Sequence, residues 1–161
     1  MTASPTTQPI TLRAASEDDC AVLTTIVRTS AAYPGRYRVM VANQRIDRDY
    51  VLANPVRVAA DGDEVLGFYS LLVPGCGGAG EGELDFMFVA DRHRRRGVGR
   101  LLVDDLRRLV ADLRLERIHI VSHPPAEVFY LAMGARRAGT IPPAGRVSWS
   151  RPYLVLETAG G

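Results

Sequence analysis

The run Asp91-Arg92-His93-Arg94-Arg95-Arg96-Gly97-Val98-Gly99-Arg100 carries the plainest chemistry in this chain. It lies between an apolar, strand-like stretch and a strongly amphipathic one. A turn in that position presents free backbone N–H groups at a helix N-terminus, where the helix dipole favours an anion. Glycine at 97 and 99 removes Cβ atoms from the path of a phosphate, and the arginines add fixed positive charge. The simplest ligand for such a turn is a pyrophosphate. Just upstream, Glu83 and Asp85 stand two apart on the strand. Alternation puts both on one face with Met87 and Val89, and leaves Leu84, Phe86 and Phe88 on the other.

The elements that must position these groups follow from periodicity. Glu83 to Val89 reads as a strand. Val98, Leu101, Leu102, Leu106, Leu109, Val110 and Leu113 form one helical stripe, with Asp104 and Arg108 spaced to pair on its wet face. A second strand–helix unit begins at Ile118 to Val121. Pro124 and Pro125 suit a first helical turn, Ala126, Phe129, Tyr130 and Met133 line one side, and Gly134 marks the stop.

Arg94-x-x-Gly97-x-Gly99 in its strand–turn–helix setting resembles the cofactor motif of the GNAT superfamily, the acetyl-CoA-dependent N-acetyltransferases. Ala126-x-x-Phe129-Tyr130-x-x-x-Gly134 resembles that family's second motif. His123 departs from the pattern, standing where many members carry Asn or Asp. The resemblance implies a mixed α/β (α+β) fold: a mostly antiparallel sheet of six to seven strands, helices on both faces, and two central parallel strands that splay apart. It implies that acetyl-CoA lies in the splay. The main chain of Met87, Phe88 and Val89 would hold the pantetheine arm, and the loop of Arg94, Arg95, Arg96, Gly97, Val98, Gly99 and Arg100 the pyrophosphate. Pro125 and Phe129 complete that side. It implies catalytic roles for Tyr130, which would assist the departing thiolate, and for Glu83 or Asp85, which would take a proton from the attacking amine. An alkyl ammonium titrates near ~10.4, so that proton must go before attack.

The chain has 161 residues, 47% of them hydrophobic, enough for one domain with a sizeable core. Its net charge of +2 gives no global attraction to nucleic acid or membrane, and every one of its 20 basic residues is arginine. The Thr/Pro-rich start, Met1 to Pro9, reads as a disordered tail rather than a signal peptide, and residues 10–161 as the domain. No apolar run approaches membrane-spanning length. A cytoplasmic protein is the expectation, with Cys20 and Cys76 as free thiols. The remaining pattern predicts a strand at Ile10–Ala14, a helix capped by Ser16, and a loop from Ala31 to Met40. It then predicts a helix over Ala42–Leu52, a hairpin of Val56–Ala60 and Val65–Val73 around Asp61-Gly62, and strands near 135–140 and 152–157.

Other signals carry weaker readings. Gly75-x-Gly77-x-x-Gly80 has dinucleotide-binding spacing, but it leads into a strand rather than a helix, so a hairpin loop is expected. The arginine run lacks the further basic stretches and interleaved aromatics of a nucleic-acid surface. His93, His119 and His123 have no ligand spacing, and no metal is expected. The acceptor is an amine of unspecified identity. Glu83 and Asp85 favour a cation, whereas Arg36, Arg38, Arg45 and Arg48 favour a carboxylate. Pro142 to Pro152, with Trp149, is a candidate border of the acceptor site or of a homodimer contact. The alternative of another class is a non-catalytic module that binds acyl-CoA.

Overall fold

The computed structural model describes residues 9–158; the expected tail, Met1 to Gln8, lies outside the described residues. Seven strands form one sheet: β1 (Thr11–Ala14), β2 (Val56–Asp61), β3 (Glu64–Leu72), β4 (Glu81–Val89), β5 (Arg117–Val121), β6 (Arg136–Ile141) and β7 (Arg151–Glu157), in the spatial order β1-β2-β3-β4-β5-β7-β6. Only β4 and β5 run parallel. Four helices accompany them: α1 (Cys20–Arg28), α2 (Arg48–Ala53), α3 (Val98–Asp112) and α4 (Glu127–Ala132). Among the described residues no helix is long and apolar enough to cross a membrane.

Each sheet face buries its own cluster. Leu23, Ile26 and Val27 of α1 pack with Val58, Phe68 and Phe88 on one face. Val98, Leu102, Leu106 and Val110 of α3 pack with Leu66, Tyr69, Ile118 and Leu154 on the other, and Tyr130 of α4 joins them. The predicted α3 stripe therefore faces the core, buried at Val98, Leu102, Leu106 and Val110 and partly buried at Leu101 and Leu109, while Leu113 is exposed. Beneath α3, Asp105 accepts two hydrogen bonds from Arg57 at 3.0 Å and one from the Tyr69 hydroxyl at 2.7 Å. That cluster ties α3 to β2 and β3 through a carboxylate that is 5% exposed.

Two expectations need correcting. The helix predicted over Ala42–Leu52 begins only at Arg48, because Thr24 exchanges hydrogen bonds with the main chain of Ile46 and Asp47 caps the helix by accepting from the Tyr50 N–H. The faces of β4 also differ from simple alternation. Ser70 pairs with Phe86 and Leu71 with Leu84, so Asp85 is an extra residue in a β-bulge. The bulge shifts the alternation by one place. Leu84 joins Met87 and Val89 beneath α3, whereas Glu83 shares the α1–α2 face with Phe86 and Phe88.

Candidate active site

The parallel strands part company midway. They pair from Glu81↔Arg117 to Leu84↔Ile120, and β4 then continues to Val89 with no strand beside it on that side. A backbone edge of Met87, Phe88 and Val89 is thus left open. A cavity of about 700 Å³ lies along it, within the ~300–1,000 Å³ usual for ligand clefts. Met87, Phe88 and Val89 form one wall, Arg94, Arg95, Gly97, Val98, Gly99 and Arg100 the floor, and Pro125, Phe129 and Tyr130 the wall opposite. The loop Ser30–Pro34, with His123, closes the remaining side.

The floor is a true helix N-terminus. Gly97 caps the 15-residue α3 with φ 77°, a left-handed conformation that costs a residue with a Cβ roughly 1–2 kcal/mol. Gly99 is small for another reason: a Cβ there would stand 3.0 Å from the Phe129 ring. The turn is anchored from behind. His93, 7% exposed, meets Glu64 at 3.0 Å through Nε2 and Arg96 at 2.9 Å through Nδ1. Arg96 thereby faces His93 and Asp61 and does not line the cavity. Arg94 pairs with Asp91, whose carboxylate also accepts from the Ala31 N–H, stitching two cavity walls together. Arg95 and Arg100 line the cavity, are exposed, and have no carboxylate partner among the described residues.

On the opposite wall, burial pushes the Tyr130 phenol well above its ordinary value, and the neighbouring Tyr33 adds to the effect. The hydroxyl therefore stays protonated at any physiological pH and is available as a donor. Tyr33 is itself pushed up to about 12 by burial. Its ring stacks on His123 at 3.8 Å. His123 meets the Ala32 carbonyl at 2.8 Å through Nε2, so that nitrogen donates its proton. Burial lowers its pKa against the opposing pull of that bond, and the imidazole is neutral. The side chain that departs from the family pattern thus braces a cavity wall and makes no helix-capping hydrogen bond, although His123 holds the N-cap position of the turn Pro124–Ala126.

Glu83 and Asp85 do not line the cavity. Both carboxylates lie toward the α1–α2 face, beyond the splay. Asp85 accepts from the Tyr50 hydroxyl at 2.5 Å, and Tyr50 also meets Ser70 Oγ at 2.7 Å. Burial raises the Asp85 pKa, the Tyr50 hydrogen bond opposes that, and the nearby Glu83 charge raises it further. Glu83 accepts from the Cys76 N–H at 2.8 Å, so the glycine-rich β3–β4 loop closes over the acids and contributes nothing to the cavity. Next to them, Glu81 is bonded to His119 at 2.6 Å and to Arg117 at 3.1 Å, and His119 reaches the Tyr153 hydroxyl through its other nitrogen. Cys20 and Cys76 are free thiols. Tyr50 and the Glu81–His119–Tyr153 chain escape a reading of the sequence. They assemble across 20 to 38 positions of chain with no local motif to announce them.

The acetyltransferase (GNAT) family model matches residues 27–135, more than half of the chain. The chain belongs to the GNAT family. It is accordingly an acyltransferase of the acetyl-CoA-dependent kind. Solved structures agree on the GNAT fold. A protein of Desulfovibrio desulfuricans described as a GNAT-family acetyltransferase is 15% identical, with 94% of this chain and 100% of that one covered and a TM-score of 0.76. The PaiA N-acetyltransferase of Thermoplasma acidophilum, solved with coenzyme A, is 15% identical over 93% and 99%, with a TM-score of 0.72. YncA of Salmonella typhimurium, solved with acetyl-CoA, is 19% identical over 96% of each chain, with a TM-score of 0.70. No protein of curated function matches the sequence.

Proposed function

We propose that the protein transfers the acetyl group of acetyl-CoA to a primary amine by direct attack within a ternary complex. The observation that carries this reading is that the Gly97 turn and the protonated Tyr130 line one cavity along an open strand edge. The residues present fit the cosubstrate. Free N–H groups at the start of α3, with Arg95 and Arg100, suit a pyrophosphate, and the unpaired main chain of Met87, Phe88 and Val89 suits an amide-bearing arm. Pro125 and Phe129 supply apolar cover. When bound, acetyl-CoA supplies an activated acyl carbonyl.

The chain's own groups do the rest. Asp85, with Glu83 beside it, takes a proton from the acceptor ammonium, for which a carboxylate of raised pKa is the better base. As the new C–N bond forms and the C–S bond breaks, Tyr130 donates its phenolic proton to the leaving sulfur. A main-chain N–H near Val89 polarises the acyl oxygen.

Calorimetric titration with acetyl-CoA, with NAD and ATP as controls, tests the reading. Micromolar binding that is lost in Gly97→Glu, followed by amine-dependent thiol release that Tyr130→Phe slows about 10²-fold, supports it. Failure of folded protein to bind acetyl-CoA overturns it. Binding without thiol release, with any amine tried, would leave a non-catalytic acyl-CoA module.

A further inference from the structure

We infer that the amine acceptor also carries a carboxylate, and that Arg36 receives it; this rests on the reading above and names its substrate class. Arg36 belongs to the 3₁₀ turn Gly35–Met40, directly after the wall residues Tyr33 and Pro34. Its guanidinium carbon lies 5.2 Å from the Tyr37 ring centre and 5.4 Å from that of Trp149. Those rings meet edge to face at 4.9 Å, and Tyr37 packs edge-on against His123 of the cavity wall at 5.7 Å. The cation is therefore held one aromatic ring from the cavity mouth, on a shelf that restrains its planar fork.

What distinguishes Arg36 from its neighbours is an aromatic shelf without an acidic partner; Arg45 also lacks a partner among the described residues but rests on no ring. Arg28 donates to the Gln44 carbonyl, Arg38 to the carbonyls of Arg28, Ser30 and Tyr33, and Arg48 pairs with Glu17. Arg36 is exposed, donates only to the Tyr37 hydroxyl at 3.3 Å, and has no acidic partner among the described residues. Beside it, Trp149 is 5% exposed and its indole N–H has no acceptor among the described residues. Buried donors are nearly always satisfied, so this one is unusual.

A held cationic fork beside a tryptophan with an unmatched N–H suits a carboxylate. On the same side of the sheet, Glu83 and Asp85 have no cationic partner among the described residues and are the acids proposed above to meet the acceptor ammonium, while the third acid, Glu81, is already matched by Arg117 and His119. The two charge signs that conflict in the sequence thus become the two ends of one dipolar acceptor, an amino acid or the carboxyl-bearing end of a peptide.

Trp149 is the chain's single tryptophan, so its fluorescence reports on this shelf without any turnover. Coenzyme A-loaded protein would be titrated with a panel of N-acetyl amino acids and their methyl esters, and with N-acetyl dipeptides bearing a free or an amidated C-terminus. The expected result is a saturable change with at least one acid. Its ester or amide should bind about tenfold more weakly or worse, as loss of a charge-assisted contact implies. The response should be lost in Arg36→Gln and partly kept in Arg36→Lys. The free and peptide arms separate the two sources. Equal responses to acid and ester, or no saturable response to any probe, overturn the proposal even while acetyl-CoA binding and thiol release with other amines stand. Should Arg36→Gln fold poorly by circular dichroism, the acid-against-ester comparison on the unaltered protein decides alone.

Discussion

At the scale of single residues, the proposed chemistry divides between one phenol and two carboxylates. Tyr130→Phe keeps the ring and removes the proton. Its kcat should fall about 10²-fold, the usual weight of one positioned acid, with acetyl-CoA affinity unchanged by calorimetry. Asp85 sits above its ordinary value because burial and Glu83 outweigh the Tyr50 hydrogen bond. A raised base is deprotonated only above its shifted pKa, so kcat/KM should fall on the acid side with a midpoint higher than a free aspartate's. That limb should vanish in Asp85→Asn and survive in Glu83→Gln; the reverse pattern would assign the base to Glu83. The place of Tyr130 in the cavity wall is legible in the chain because it stands at a fixed spacing inside a local motif, whereas the face taken by Glu83 and Asp85 is not. His123 and Tyr50 are not legible either, since their roles exist only in contacts made 91 and 35 residues away.

At the scale of elements, the turn before α3 and the bulge in β4 govern the site. Gly97 is needed for its left-handed φ, and no atom lies within 4 Å of where its Cβ would stand. Gly97→Ala should therefore fold with little loss and still weaken coenzyme A binding about tenfold, because keeping the turn in shape costs roughly 1–2 kcal/mol. Gly99→Ala acts differently, by displacing the Phe129 ring, and should weaken binding through the opposite wall. The strand–turn–helix unit could be read from the sequence because a 3.6-residue stripe and paired glycines are local signals. The bulge could not. An extra residue in a strand leaves the hydrophobic pattern nearly intact, and only the pairing of Ser70 with Phe86 and Leu71 with Leu84 reveals it. The late start of α2 was hidden for a related reason, since a side chain on α1 holds the main chain of Ile46.

For the whole molecule, two buried carboxylates fix the packing: Asp19 ties the end of β1 to the start of α1, and Asp105 ties α3 to β2 and β3. The Asp19 carboxyl is held below its ordinary value by Arg13. Burial would raise that of Asp105, but the hydrogen bonds of Arg57 and Tyr69 outweigh it and hold it low. Groups depressed in this way stabilise the fold fully above about pH 4 and lose that contribution as pH falls through their folded values. The thermal midpoint should accordingly drop below about pH 4, and less steeply in the Asp19→Asn, Asp105→Asn double variant. At neutral pH, Asp105→Ala should cost about 3 kcal/mol in urea unfolding, because Arg57 and Tyr69 lose their shared acceptor beneath α3. The bulge at Asp85 has one more consequence. It turns a single strand into a partition, with Met87 and Val89 served from one side of the sheet and Glu83 from the other. Under the proposed chemistry, donor and acceptor then have separate doors. Neither must leave for the other to arrive, and free coenzyme A should compete with acetyl-CoA in initial-rate kinetics but not with the amine.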